Sequence, residues 1–483
     1  MSSLEELPEQ ARNDLLRRVD WRFLVQHENE PAAAEQPGVV ALVNPDQRAL
    51  AAAAAALPPG GTLYAEWYRP QLGGMQRLGR RLAAAGLEDV RWYWPWPRPS
   101  RHPVFWLPVD SPEALKYFLG QRQRATSLRR RLLASVWPWA LRLRLLVPLC
   151  AVARKPGGGG EDAVEHAVLH HSNGDPVSWI LLTGGRRSVN KVVGLPVVDA
   201  VRKPRLVVKF ARTAAEEEPL RHESDVLKAL EDAQPELTGV PRALFLERRS
   251  GRLALGETAL EGEPLIWRLT RERLDPLCTA VTEWLVGLAG SVEHHPAHVW
   301  HDRLVAAPLE RFARSFAAVV SPEEIDRARA TLSSIDALPL VCEQRDCAPW
   351  NVLLAGDQVS VADWESAEPS GLPAVDLVYF LTNAALLVAG VLDSGPIAPW
   401  YADSLDPDSD VGGTVGRCET LYCGRVGIDA KLLPRLRLLC WTIHAQSEYR
   451  RFELDAVAEP SPDVLGGSLF LELWRMELAR QAF

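Results

Sequence analysis

An Asp and an Asn five residues apart, followed by a second Asp in a run of β-type residues, constrain this chain more than any other feature. The first segment reads Gln344-Arg345-Asp346-Cys347-Ala348-Pro349-Trp350-Asn351, and Val361-Ala362-Asp363-Trp364-Glu365 follows it. Between them, Leu353-Leu354-Ala355-Gly356-Asp357-Gln358-Val359 reads as a tight hairpin that returns the chain. A short loop can then carry Asp346 toward a hydroxyl and Asn351 toward a divalent metal, with Asp363 reaching that metal from the other side. Phosphoryl transfer is mostly positioning and charge neutralisation, so these oxygen ligands in this order suit a site for it.

The segment resembles the catalytic region of the aminoglycoside phosphotransferase-like kinases, roughly H-G-D-x-x-x-x-N and then a strand ending in D-W/F-E. Pro373-Ala374-Val375-Asp376-Leu377 is similar to that family's P-x-x-D-L segment. The resemblance implies a protein-kinase-like fold that uses ATP and Mg²⁺. It implies Asp346 as the catalytic residue, Asn351 and Asp363 as metal ligands, and Asp376 as a structural anchor of the loop. Gln344 stands where the family has His, and Arg345 where it has a small residue. Gln donates and accepts hydrogen bonds, as His does, so Gln344 is expected to anchor the loop. The rival reading is a nucleotide-binding scaffold without turnover.

Upstream, Pro204-Arg205-Leu206-Val207-Val208-Lys209-Phe210 reads as a strand with one lysine, and a helix beginning near Leu220 carries Glu223. The resemblance implies that Lys209 binds nucleotide phosphates and is oriented by Glu223; a strand lysine pointing to solvent is the plainer alternative. Gly184 and Gly185, in a strand–turn–strand pattern, could let backbone N–H groups approach phosphates, although Gly-Gly is also an ordinary hairpin turn. Arg252 to Thr258 reads as a strand, and the segment after it resembles the family's hinge between lobes. The resemblance implies backbone groups of Glu257 to Ala259 as adenine contacts, an edge strand ending in a Gly/Pro turn being the alternative.

The first 150 residues have another character. Gly38 to Val43, Thr62 to Tyr68 and Val90 to Trp96 read as strands, alternating with helices at Arg48–Leu57 and Gln76–Ala85. This predicts a small parallel α/β layer. Pro58-Pro59-Gly60-Gly61 and the strand after it resemble the C-terminal half of class I SAM-dependent methyltransferases. The residues before Gly38 contain no glycine and leave no room for a cofactor-binding half. The expectation is a truncated, non-catalytic domain used for docking or oligomerisation.

Charge divides the chain in the same way. Residues 1–155 hold 22 Lys and Arg against 14 Asp and Glu, and the remainder holds 32 against 48. An acidic body argues against nucleic acid as a partner. Residues 121–155 carry nine Lys/Arg and no acid, interleaved with Trp and Leu. They suit an anionic membrane or protein partner, or else a core strand with arginines reaching into solvent. Seven cysteines without a CxxC pair read as reduced thiols. His294, His295, His298 and His301 read as a polar surface. With no secretory signal or membrane span visible, a cytoplasmic protein, peripheral to a membrane if at all, is expected.

These readings combine into an α+β bilobal protein-kinase-like fold with an N-terminal small α/β Rossmann-like (degenerate methyltransferase-like) domain. The expected boundaries are 1–153 for that domain, 154–162 for a Gly-rich linker, 163–262 for the N-lobe, and 263–483 for the C-lobe with C-terminal helices. The expected activity is transfer of the γ-phosphoryl group of ATP to a small hydroxylated acceptor such as a sugar or amino sugar. A peptide or glycan hydroxyl and methyl transfer are lesser alternatives.

Overall fold

The computed structural model describes residues 39–67, 74–96, 105–123, 149–157, 163–183, 191–198, 200–212, 214–249, 252–290, 293–392, 395–455 and 460–481. The chain divides into two compact units, Met1–Ser224 with Ala243–Ala259, and Asp225–Arg242 with Leu260–Phe483. Gly184, Gly185 and most of the basic segment 121–155 lie outside the described residues.

The first unit is built on one eleven-stranded sheet. Its elements are β1 (Val39–Val43), α1 (Gln47–Ala56), β2 (Thr62–Trp67), α2 (Gly74–Ala84), β3 (Glu88–Trp96), β4 (Phe105–Pro108), α3 (Pro112–Gln123), β5 (Leu149–Arg154), α4 (Ala163–His171), β6 (Val177–Leu182), β7 (Lys191–Val198), β8 (Lys203–Pro204), β9 (Leu206–Ala211), α5 (Glu217–Ala233), β10 (Ala243–Arg249) and β11 (Arg252–Thr258). The order is β1-β2-β5-β3-β4-β6-β7-β9-β11-β10, with β8 paired to β7.

Two expectations are corrected here. The N-terminal strands do not form a wholly parallel layer. β1 and β2 are parallel, but β5 is antiparallel to both β2 and β3 and lies between them. The helical crossovers keep β2 and β3 pointing the same way, and the later strand intercalates. Nor does the sheet stop before residue 163. β4 pairs with β6 at Phe105–Leu182 and Trp106–Leu181, so the N-terminal strands and those preceding Lys209 share one ladder.

Alternation along the strands gives each face its own cover. On one face α1 and α2 bury Leu50, Leu78 and Leu82 against Leu63, Trp67 and Trp92. The other face carries a core running from Tyr64 through Trp106 and Trp179 to Val208 and Phe210, under Val164 and Val168 of α4. Leu115 and Phe118 of α3 pack with Ile180 and Val197, sealing the junction between the N-terminal strands and β6–β7.

The second unit is mainly helical, with short strands that fix its loops. Its elements are β12 (Glu263–Pro264), α6 (Leu274–Ala289), β13 (His294–Pro296), α7 (Ala307–Ser315), α8 (Pro322–Leu332), β14 (Ala337–Pro339), β15 (Val341–Glu343), β16 (Val352–Ala355), β17 (Gln358–Val361), β18 (Glu368–Gly371), α9 (Val375–Ala389), α10 (Ile397–Ser404), α11 (Asp410–Val426), α12 (Leu433–Asp455) and α13 (Leu469–Arg480). β16 pairs with β12 and β17, β13 with β14, and β15 with β18. From Val375 to Leu386, α9 is buried on every side, and it is mostly apolar apart from Asp376, Thr382 and Asn383. Among the described residues no helix is long and apolar enough to cross a membrane, and all seven cysteines are free thiols.

Candidate active site

In the first unit, period-2 alternation decides what lies beside Lys209. Leu206, Val208 and Phe210 of β9 enter the core, so Lys209 takes the opposite face. On the neighbouring strand, Leu255 is directly opposite Lys209 and Glu257 is opposite Val207. Glu257 is thus the diagonal same-face neighbour of Lys209. Helix α5 covers this face through Leu220, which packs with Ala211, Leu253 and Leu255. Glu223, one turn further, is thereby brought over the lysine. Lys209 Nζ is 2.5 Å from Glu223 Oε1 and 3.0 Å from Glu257 Oε1. All three side chains are buried, Lys209 and Glu257 being 4 % exposed. Burial, opposed by Lys209 and reinforced by Glu223, lifts the Glu257 carboxyl to about 7.

The hinge role expected for residues 257–259 concerns their backbone, and the structure adds a side-chain role for Glu257. The Glu257 side chain is committed to the lysine, and the Ala259 N–H already donates to Arg205 O at 2.9 Å. The signal was present in the sequence, because alternation puts 253, 255 and 257 on one face.

In the second unit the β16–β17 hairpin sets the geometry. Val352 pairs with Val361 across a turn in which Gly356 adopts a left-handed φ of 65°. The residues just outside that rung are joined as well, Ala362 N–H donating to Asn351 O at 3.0 Å. Asn351 and Asp363 therefore emerge side by side although twelve positions apart.

The loop from Gln344 to Asn351 is held at several points. The Gln344 side-chain oxygen accepts the Asp346 N–H at 2.8 Å, and its amide nitrogen donates to Ala362 O at 3.0 Å and to Asp363 O. Asp376, in the first turn of α9, accepts the N–H groups of Gln344 (2.7 Å) and Arg345 (2.8 Å). Arg345 sits at a left-handed φ of 65°, which explains why a small residue suits this position. Its guanidinium lies 2.5 Å from buried Glu343, which also accepts the Leu372 N–H.

Asp346 itself is half-buried. Asn351 Nδ2 donates to Asp346 Oδ2 at 2.7 Å, and the Tyr379 hydroxyl donates to Oδ1 at 3.3 Å. Burial first, and then the charge of Asp363, pushes the Asp346 carboxyl up to about 7; Asn351 and Tyr379 oppose the shift. A carboxylate poised near neutrality is suited to taking a proton. Tyr379 was not anticipated. Its signal was the three-residue step from Asp376, which puts both on one side of α9.

Among the described residues no group of three or more His, Cys, Asp and Glu is placed to hold a metal unaided. The histidines near 294–301 are no exception, and His294 Nε2 lies 3.0 Å from Gly427 O. The carboxylate of Asp363 and the amide oxygen of Asn351 are nonetheless hard donors that fit Mg²⁺, which takes one or two protein ligands and completes its shell with phosphate and water.

Among curated proteins none matches the chain. In solved structures it is similar to an aminoglycoside phosphotransferase from Streptomyces rimosus, at 15% identity over 61% of this chain and 99% of that one, TM-score 0.38. It is similar to a glucosamine kinase at 18% identity over 67% and 86%, TM-score 0.39. A choline/ethanolamine kinase family protein from Mesorhizobium loti gives 13% identity over 60% and 84%, TM-score 0.35. The likeness is loose in each case. A model of the phosphotransferase enzyme family matches residues 196–395, a span containing Lys209, Glu223, Asp346, Asn351, Asp363 and Asp376. Over those residues the chain is similar to the phosphotransferase enzyme family.

Proposed function

We propose that this phosphotransferase moves the γ-phosphoryl group of ATP to a hydroxyl of a small acceptor, a sugar or amino sugar, with Mg²⁺ as cofactor. The observation that carries the reading is the way Gln344 and Asp376 pin the loop, holding Asp346, Asn351 and Asp363 around one spot. Asp346 orients the acceptor hydroxyl and accepts its proton as the new O–P bond forms and the bond to the departing ADP oxygen breaks. Asn351 and Asp363 would hold the metal, which when bound neutralises phosphate charge. Lys209, oriented by Glu223, binds the α- and β-phosphates. The amino-sugar class rests on the resemblance to the aminoglycoside phosphotransferase-like kinases and the acidic balance of residues 156–483.

The bonds made by Gln344 favour a working loop over a bare scaffold, since they give Asp346 a fixed backbone. For the N-terminal strands, a methyltransferase-like ancestry without methyl transfer stays a proposal with which the parallel β1–β2 pair, common to α/β folds, is compatible.

The test is Asp346→Asn. Phosphoryl transfer from radiolabelled ATP to a panel of hexoses, amino sugars and aminoglycosides should fall by about two orders of magnitude or more, about 3 kcal/mol of transition-state stabilisation. ATP binding measured by calorimetry should persist. A variant as active as the parent would remove Asp346 from the chemistry. ATP binding by the parent with no transfer to any acceptor would favour the scaffold.

A further inference from the structure

Helix α9 meets the Asp346 loop with more than the Asp376 carboxylate. Asp376 takes the backbone N–H groups of residues 344 and 345, and Tyr379, three positions on, reaches the next residue through its side chain. Positions three apart share a helix face, so one turn of α9 grips three consecutive loop residues. The two grips differ in kind: Asp376 holds backbone, whereas Tyr379 holds the oxygen atom on which the proposed chemistry depends.

The ring of Tyr379 is fixed from behind. His444 of α12 stacks on it with centroids 3.6 Å apart and planes 2° from parallel, and Phe470 of α13 lies 6.0 Å from it. Tyr379 is 5 % exposed and its carbonyl accepts the Asn383 side-chain N–H at 2.8 Å. A buried tyrosine so stacked has little rotamer freedom, so its hydroxyl is delivered to one place. Asp346 then has one donor on each oxygen, Asn351 on Oδ2 and Tyr379 on Oδ1.

We propose that Tyr379 is a positioning residue for phosphoryl transfer, holding the Asp346 carboxylate in the orientation that accepts the acceptor's proton, with His444 as its backstop. The inference rests on the functional reading above and names the residue that sets its geometry.

The experiment compares the full chain with Tyr379→Phe, which keeps the stacked ring and removes only the hydroxyl. With Mg²⁺–ATP and the acceptor from the panel that the parent uses best, kcat should fall about tenfold, because small displacements of a catalytic group are costly. KM for ATP should stay within about twofold and the melting temperature within a few degrees, since the ring packing is retained. Tyr379→Leu, which also removes the stack, should lose more in kcat than Tyr379→Phe. Unchanged kcat in Tyr379→Phe would overturn the proposal, as would a loss of kcat matched by equal losses in ATP binding and stability. Should the parent transfer nothing to any acceptor, the functional reading fails on its own. The positioning claim is then judged from crystal structures of parent and Tyr379→Phe: a turned Asp346 carboxylate in the variant supports it, and an unmoved one overturns it.

Discussion

Glu257 lies 3.0 Å from the ammonium of Lys209 on the side not taken by Glu223, so one buried lysine faces two buried carboxylates. Phosphates arriving at Lys209 in the proposed reaction would compete with both. Glu257 is neutral below about pH 7 and ionised above it, because burial outweighs the lysine's pull. Raising the pH through 7 therefore adds negative charge beside Lys209 and should weaken ATP binding. In Glu257→Gln that charge is absent at every pH. The variant should bind ATP about fivefold more tightly than the parent at pH 8, the equivalent of about 1 kcal/mol, and no differently at pH 6. Calorimetric titrations at the two pH values decide it, and a difference independent of pH would show that Glu257 does not compete for the lysine.

Arg345 holds a left-handed backbone that a glycine would adopt without strain, which by itself is worth about 1–2 kcal/mol to Arg345→Gly. The guanidinium is also the counter-ion of Glu343, a carboxylate buried almost completely. Stripping a buried ion of its partner costs about 3–5 kcal/mol, so the ion pair outweighs the strain. Arg345→Gly should be destabilised by about 2 kcal/mol in urea unfolding, the difference of those two effects. Glu343→Gln in the same chain should restore most of the loss. A single variant more stable than the parent would show that strain, not charge, governs this position.

The two halves of the molecule were unequally legible in the sequence. Residues 344–363 read well because their geometry is local: a two-residue turn sets the register, and the register puts Asn351 beside Asp363. The pairing of Lys209 with Glu223 is what the family resemblance implies, and strand alternation with one helical turn brings it about. The family resemblance places Glu257 at a hinge, and the alternation that turns its side chain toward Lys209 is the signal which that reading leaves out. The N-terminal sheet was beyond reach for another reason. An alternating pattern shows which face of a strand is buried and not which strand lies beside it, so neither the intercalation of β5 nor the β4–β6 junction could be read.

That junction makes the N-terminal strands part of the fold around Lys209. A chain beginning at Ala163 would leave the β6 edge unpaired and uncover Ile180 and Val197, which Leu115 and Phe118 now shield. Exposed apolar edge strands associate, so the shortened chain should aggregate or bind ATP poorly. Soluble yield, gel filtration and calorimetry test this. A monodisperse, ATP-binding chain from 163 onward would mean that the first 162 residues only decorate an independent unit.

His444 offers a test at the opposite end of the pH scale. Burial chiefly, and Arg345 secondarily, pull its imidazole down to about 3. In the unfolded chain an ordinary histidine takes up a proton near pH 6.5. Between those values the unfolded state binds the extra proton and the folded state does not, so stability falls as the pH drops from 6.5 toward 3. Asp346 and Asp376, each raised to about 7, act in the opposite sense, the folded chain retaining protons that the unfolded one releases. Those contributions are common to parent and variant and cancel in their difference. His444→Phe keeps an aromatic ring against Tyr379 and removes the titrating group. Its stability relative to the parent should rise by about 2 kcal/mol between pH 7.5 and pH 5, following about 1.4 kcal/mol per pH unit below 6.5. Urea unfolding at the two pH values measures it, and an offset equal at both would mean that His444 gains its proton in the fold as readily as in the unfolded chain.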